Sequence, residues 1–367
     1  MSRLARLAEQ VVECGTTPGI AVTVVAGDRV VASASAGFGD LATADPMTAD
    51  RAFNWFSMTK IATATAVMIL VEGGALDLDA PVARYLGEQW PTGFSRVSVR
   101  HLLSHSGGLP NPIPLRWVHR PTDSPPAAPV LLAHVMSGRR GPRFEPGARA
   151  SYSNIGYLAL GEVIAAAVGR PYQDFVREEL LVPLRMTRTA FSWNDPALAG
   201  VARATPYQRL PRLITPLVAA MLPAGIVGAR VGKLVALQPF ELDGAAYGGL
   251  IGPVGDAAQL IALHANRGSI GGHRFLTADT IDAMTAITTR GRRYDLGLGW
   301  FQPHNAPDER VCHFGGGMGY WNILRLDPRR SRAAVVMSNT TTHWDITRFA
   351  DTAIETCCGP AMSTSMS

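Results

Sequence analysis

A chain of 367 residues with 47% apolar and 17% charged residues has the balance of a globular protein. That balance excludes a disordered chain, and the length allows a large core without disulfide or metal staples. The 34 basic and 29 acidic residues leave a formal net charge of +5, too dilute over this length to point to a nucleic-acid partner.

In chain order, Met1 to Gln10 reads as an amphipathic helix. Glu9 and Glu13 interrupt any apolar run there, so no secretory leader is read and a cytoplasmic location is expected. None of the four cysteines forms a C-x-x-C pair, so neither a zinc site nor a dithiol redox centre is expected; Cys14 and the Cys357-Cys358 pair read as small buried hydrophobes. Gly19 to Val31 alternates and then runs apolar around Gly27-Asp28, the signal of a β-hairpin. Residues 57–72 form the strongest helical stretch, stopped by Gly73-Gly74.

Seven prolines between Pro110 and Pro129 predict irregular chain, and a second helix is expected over 155–168, ending at Gly169. From 205 to 240, apolar residues are broken by Pro and Gly, which reads as a cap or pocket wall. Within it, Leu213 to Ala229 comes nearest to a membrane-length apolar run, but Pro216 and Pro223 rule out a span. Further helices are expected at 254–266, 277–287 and 343–357. Strands are expected at 296–301, 318–326 and 333–337, with a frayed tail from 359. Strands at both ends with helices between them predict an α/β (α+β) fold. Its antiparallel sheet, flanked by helices, would come from residues 1–78 and 241–367, with a mostly helical domain inserted at 79–240.

Three short motifs carry chemistry. In Ser57-Met58-Thr59-Lys60 the spacing of three places a hydroxyl and an amine one helical turn apart on one face. Serine is a poor nucleophile until a base takes its proton, and a lysine amine can do so once burial or positive charge lowers its pKa. Arginine could not. Only two of the 34 basic residues are lysines, Lys60 and Lys233, so a lysine at this position stands out. Tyr152-Ser153-Asn154 offers a phenol able to relay a proton and an amide with both donor and acceptor. His313-Phe314-Gly315-Gly316-Gly317 places three glycines at a predicted strand, where a ligand could approach the backbone closely.

In this order the three motifs resemble those of the serine β-lactamase/penicillin-recognising hydrolases. The similar branch is the one holding class C β-lactamases, D-alanyl-D-alanine peptidases, D-aminopeptidases and β-lactamase-fold carboxylesterases. The stretches Pro18-Gly19-Ile20-Ala21-Val22, His101 to Pro110, Glu145-Pro146-Gly147 and Leu296 to Trp300 extend the resemblance. It implies Ser57 as acyl-accepting nucleophile, Lys60 as its proton partner and Tyr152 as general base. Asn154, His313, Gly315 and Gly316 would contact the substrate, with the N–H groups of Ser57 and Gly316 as oxyanion hole. His313 departs from the pattern, since class C β-lactamases carry Lys there. Without that fixed cation, a substrate carboxylate has less to bind. The expectation is therefore a serine hydrolase with neither metal nor cofactor, a carboxylesterase acting on small or hydrophobic acyl esters. The alternatives are a D-amino-acid or D-Ala-D-Ala-type peptidase, a weak β-lactamase, or a catalytically silent peptide- or protein-binding member. The expected partner is a small-molecule ester or amide.

Overall fold

The computed structural model describes residues 1–111, 117–304, 309–342 and 344–359. The predicted hairpin is β1 (Gly19–Ala26) and β2 (Arg29–Asp40), turning at Gly27-Asp28 with Gly27 at φ 59°. The large sheet adds β3 (Asp45–Pro46), β4 (Tyr294–Leu296), β5 (Phe301–Pro303), β6 (Val311–Gly317), β7 (Tyr320–Asp327) and β8 (Arg332–Ser338). Its order is β4-β5-β6-β7-β8-β1-β2-β3, antiparallel throughout. The two chain ends meet where β1 pairs with β8, from Ile20 opposite Ser338 to Ala26 opposite Arg332.

β1 is buried along nearly its whole length because both faces of the sheet are covered. Ile20, Val22 and Val24 pack with Leu4 and Ala8 of α1 (Arg3–Glu13) and with Phe349 and Ala350 of a closing helix. Ala21 and Val25 face the other core. That core is shared with α2 (Thr59–Glu72), α3 (Asn154–Val168) and α4 (Val254–Ala265), the closing helix being α5 (Ile346–Cys358). Each fully buried aliphatic side chain contributes about 1.5–3 kcal/mol.

Several expectations are refined. The strand expected over 296–301 is two strands, β4 and β5, joined at Gly297–Trp300, with Gly299 at φ 95°. The Leu-Gly alternation mimics a strand, but a side chain on Gly297 would meet the Met284 carbonyl at 2.5 Å. The glycines of the third motif lie inside β6 itself. Residues 205–240 form three short strands (Tyr207–Arg209, Val227–Val231, Leu234–Leu237) and a helix, Thr215–Met221. The proline-rich stretch holds a short strand, Val118–His119, and its last proline opens a helix over Ala128–Met136; its residues 112–116 lie outside those described, as does the expected tail from 360. Cys14, read as buried, is exposed just past the end of α1, and Cys357 and Cys358 are partly buried. Among the described residues no helix is long and apolar enough to cross a membrane.

Candidate active site

Ser57 sits in a single turn, Phe56–Met58, that leads directly into α2. The segment before it is pinned from several sides. Asn54 donates to the Phe240 carbonyl at 3.1 Å, and its own carbonyl accepts from Asn322 of β7 at 3.1 Å. Trp55 Nε1 donates to the Gly252 carbonyl at 3.1 Å. Phe56 is held at φ 50°, a left-handed conformation costly for an aromatic residue, immediately before Ser57. The glycines of β6 make room for this turn. A Cβ on Gly315 would lie 2.1 Å from the Trp55 carbonyl oxygen, and one on Gly317 2.0 Å from the Phe56 ring. The motif therefore answers to protein packing as well as to any ligand.

Four expected residues converge. Ser57 Oγ lies 2.6 Å from the Tyr152 hydroxyl and 3.0 Å from Lys60 Nζ. Lys60 Nζ also reaches Asn154 Oδ1 at 2.8 Å and the Tyr247 carbonyl at 2.7 Å. Ser153, between Tyr152 and Asn154, caps α3 by accepting from the Gly156 N–H. This cap fixes where the two flanking side chains start. A cavity of about 180 Å³ opens at Ser57 and Asn154; Gly316 lines it together with Phe56, Val118, Leu242 and Met318.

Three expectations are placed differently. His313 and Gly315 do not line the cavity. They share a face of β6 with Gly317, and His313 lies deeper along it, fully buried with its ring 4.4 Å from Phe301. The 205–240 segment contributes none of the lining either; Val118 and Leu242, on the strands Val118–His119 and Glu241–Leu242, form that wall.

Among the described residues no carboxylate touches Ser57, Lys60 or Tyr152. Burial drives the Lys60 amine well below the ordinary lysine value of 10.5, although three aromatic rings lie 4.9–5.5 Å from it. The helix N-terminus adds a positive field that acts in the same direction. Burial, and secondarily Lys60, push His313 down to about 3, against the bond its Nδ1 makes to the Phe314 carbonyl. His105 is held neutral in the same way, by burial first and then by Lys60 and His313. Burial raises the Tyr152 phenol, opposed in part by its bond to Ser57.

Two contributors escaped the sequence reading. The Tyr247 carbonyl has no side-chain signature at all. His105 is not among the residues expected at the site, yet its ring lies 4.6 Å from that of Tyr152 and accepts from the Ser153 N–H. It sits at φ 52°, and its place in the stretch His101 to Pro110 was the available signal.

One wall of the cavity rests on a charge cluster. His119 bridges Asp243 (2.6 Å) and Glu241 (3.2 Å) across the ladder that carries Val118 and Leu242. Burial alone would lower the His119 pKa, but the two carboxylates outweigh it and lift it to about 9. A pKa raised above its unfolded value gives stability that is full below about pH 6.5 and lost as pH rises through 9. His119→Ala, which leaves two carboxylates without their cation, is expected to cost about 3 kcal/mol at neutral pH. In thermal melts the variant should also lack the wild type's decline between pH 7 and pH 10.

Among the described residues no cluster of His, Cys, Asp and Glu is arranged to hold a metal ion.

An antiparallel sheet closed by both chain ends, with Ser, Lys and Tyr meeting at a helix start beside a glycine-rich strand, is the arrangement of the β-lactamase/penicillin-binding protein superfamily. The chain belongs to the Beta-lactamase family, whose model matches residues 4–354. It is 30% identical to "Penicillin-binding protein 4*" of Bacillus subtilis over 176 residues, which cover 46% of this chain and 37% of that protein. Among solved structures it is similar to the D-amino acid amidase from Ochrobactrum anthropi SV3 (TM-score 0.79, 23% identity, 96% of this chain and 97% of that one). It is also similar to EstCE1, described as a hydrolase with promiscuous acyltransferase activity (TM-score 0.73, 20% identity, 98% of each chain). At these identities the two structures show a shared fold.

Proposed function

We propose that the protein is a carboxylesterase that cleaves small or hydrophobic acyl esters through an acyl-enzyme on Ser57. The observation that carries this reading is a single oxygen, Ser57 Oγ, held by both an amine and a phenol at a cavity that, among the described residues, is lined by no charged side chain.

The proton arrangement follows from the three contacts of Lys60. A neutral amine has two N–H groups, which suit the Asn154 and Tyr247 oxygens, leaving the nitrogen lone pair to accept the Ser57 proton. With the Lys60 amine biased towards neutrality and the Tyr152 phenol kept protonated by burial, Lys60 is the better base for the attack of Ser57. Tyr152, expected from the family resemblance as the general base, then donates to the departing alkoxide. The ammonium on Lys60 resupplies that proton, so in net terms the Ser57 hydrogen leaves on the alcohol. The same two groups activate water to release the acid. Backbone N–H groups of Ser57 and Gly316, both at the cavity, would meet the oxyanion.

A neutral, fully buried His313 provides no cation for a penicillin or peptide carboxylate. Among the described residues no acidic side chain lines the cavity to meet a D-amino acid ammonium group. Both absences favour an uncharged ester. Intact-protein mass spectrometry after exposure to a fluorophosphonate and to penicillin tests the reading. A single fluorophosphonate adduct without a stable penicilloyl adduct, with p-nitrophenyl butyrate hydrolysed faster than D-alanyl p-nitroanilide, is expected. Both adducts with the anilide preferred would make it a D-amino-acid peptidase, and neither adduct would leave a binding protein.

A further inference from the structure

The net charge of the chain is not spread over its surface. Residues 196–240 contain Arg203, Arg209, Arg212, Arg230 and Lys233 and no Asp or Glu. The 29 basic residues elsewhere balance all 29 acidic ones, so the whole formal charge of +5 belongs to this one segment. Among the described residues none of the five takes part in an ion pair. Arg209, Arg212 and Lys233 are exposed, and Arg230 donates to Thr215 Oγ1 at 2.7 Å, tying strand to helix.

The same segment exposes apolar side chains of a kind folded surfaces rarely cluster. Leu213 is 93% exposed and Leu217 64%, with Ile214 and Met221 also exposed. Leu213, Leu217 and Met221 recur at helical spacing, so they share one face of the turn that runs into Thr215–Met221. Val218 turns inward against the core and anchors the helix. The segment is held to the body of the fold by the Tyr207 N–H, which donates to the Asn339 carbonyl, and closed on itself by the Leu237 N–H, which donates to the Pro206 carbonyl. Pro206 lies against Gly319, one residue past Met318 of the cavity rim.

We propose that this flap is a docking surface for an anionic lipid bilayer, with Leu213, Ile214, Leu217 and Met221 entering the headgroup boundary and Arg209, Arg212 and Lys233 meeting lipid phosphates. Exposed leucines beside unpaired cations, on a segment free of acidic groups, match the chemistry of an interfacial surface. A soluble apolar partner would explain the leucines but leave the segregated charge without a role. The inference does not depend on which ester or amide Ser57 cleaves.

Sedimentation of the full chain with phosphatidylcholine vesicles, with and without phosphatidylglycerol, tests it. Binding is expected only with the anionic lipid and should fall steeply at high salt. Arg209→Gln/Arg212→Gln/Lys233→Gln should weaken it by about 100-fold, at roughly fivefold per cation. Leu213→Ser/Leu217→Ser should also weaken it, while both variants keep the wild-type melting temperature. Equal binding to neutral vesicles, no binding to either, or wild-type binding by both variants would overturn the proposal. So would a dimer in light scattering that the double serine variant disperses.

Discussion

Ser57→Ala is expected to reduce hydrolysis of p-nitrophenyl butyrate by a factor on the order of 10⁴–10⁶. The substitution removes one oxygen and little else. Lys60 keeps Asn154 and the Tyr247 carbonyl, the cavity is slightly widened, and Phe56 retains its backbone pins through Trp55 and Asn54. Melting temperature should therefore change little, and the fluorophosphonate adduct should vanish together with turnover. Activity surviving in a folded Ser57→Ala protein would move the nucleophile elsewhere.

Lys60→Met has the second-largest expected effect, a loss of about 10³ in kcat/KM. Methionine nearly fills the volume of the lysine stem but cannot take a proton from Ser57. The pH profile separates this role from packing. Because the amine must be neutral to act and burial depresses its pKa, wild-type activity should fall as pH drops through a value well below 10.5. The variant's residual activity should lack that limb. Lys60→Arg should be no better than Met, since guanidinium does not deprotonate. A Lys60→Met enzyme with the wild-type acid limb would assign that titration to another group.

The residues that meet at Ser57 were legible because their chemistry is carried by side chains at short, fixed spacings. Ser57 and Lys60 share a helical face whatever the rest of the chain does, and Ser153 caps α3 by local geometry alone. The centre of the large sheet was legible too, since β1, β7 and β8 alternate or run apolar. Legibility ended where a backbone atom or a distant neighbour decides the outcome. The Tyr247 carbonyl touches Lys60 across 187 positions and leaves no trace in side-chain pattern. Gly297 to Trp300 looks like a strand until the Met284 carbonyl is seen to occupy the space above it. His313 was expected at the substrate because its motif pointed there; its depth on β6 is set by how Trp55 and Phe56 lie across the glycines beyond it.

The pairing of β1 with β8 also sets a schedule for assembly. Ile20 and Ser338 are separated by nearly the whole chain, and closing so long a loop comes before the contacts that reward it. Until β7 and β8 leave the ribosome, Asn54 lacks its bond from Asn322 and the apolar β1 has one open edge. The turn carrying Ser57 is thus completed by a strand 268 positions further along the chain. In a growing chain the residue proposed as nucleophile therefore sits in an unfinished setting until that strand pairs.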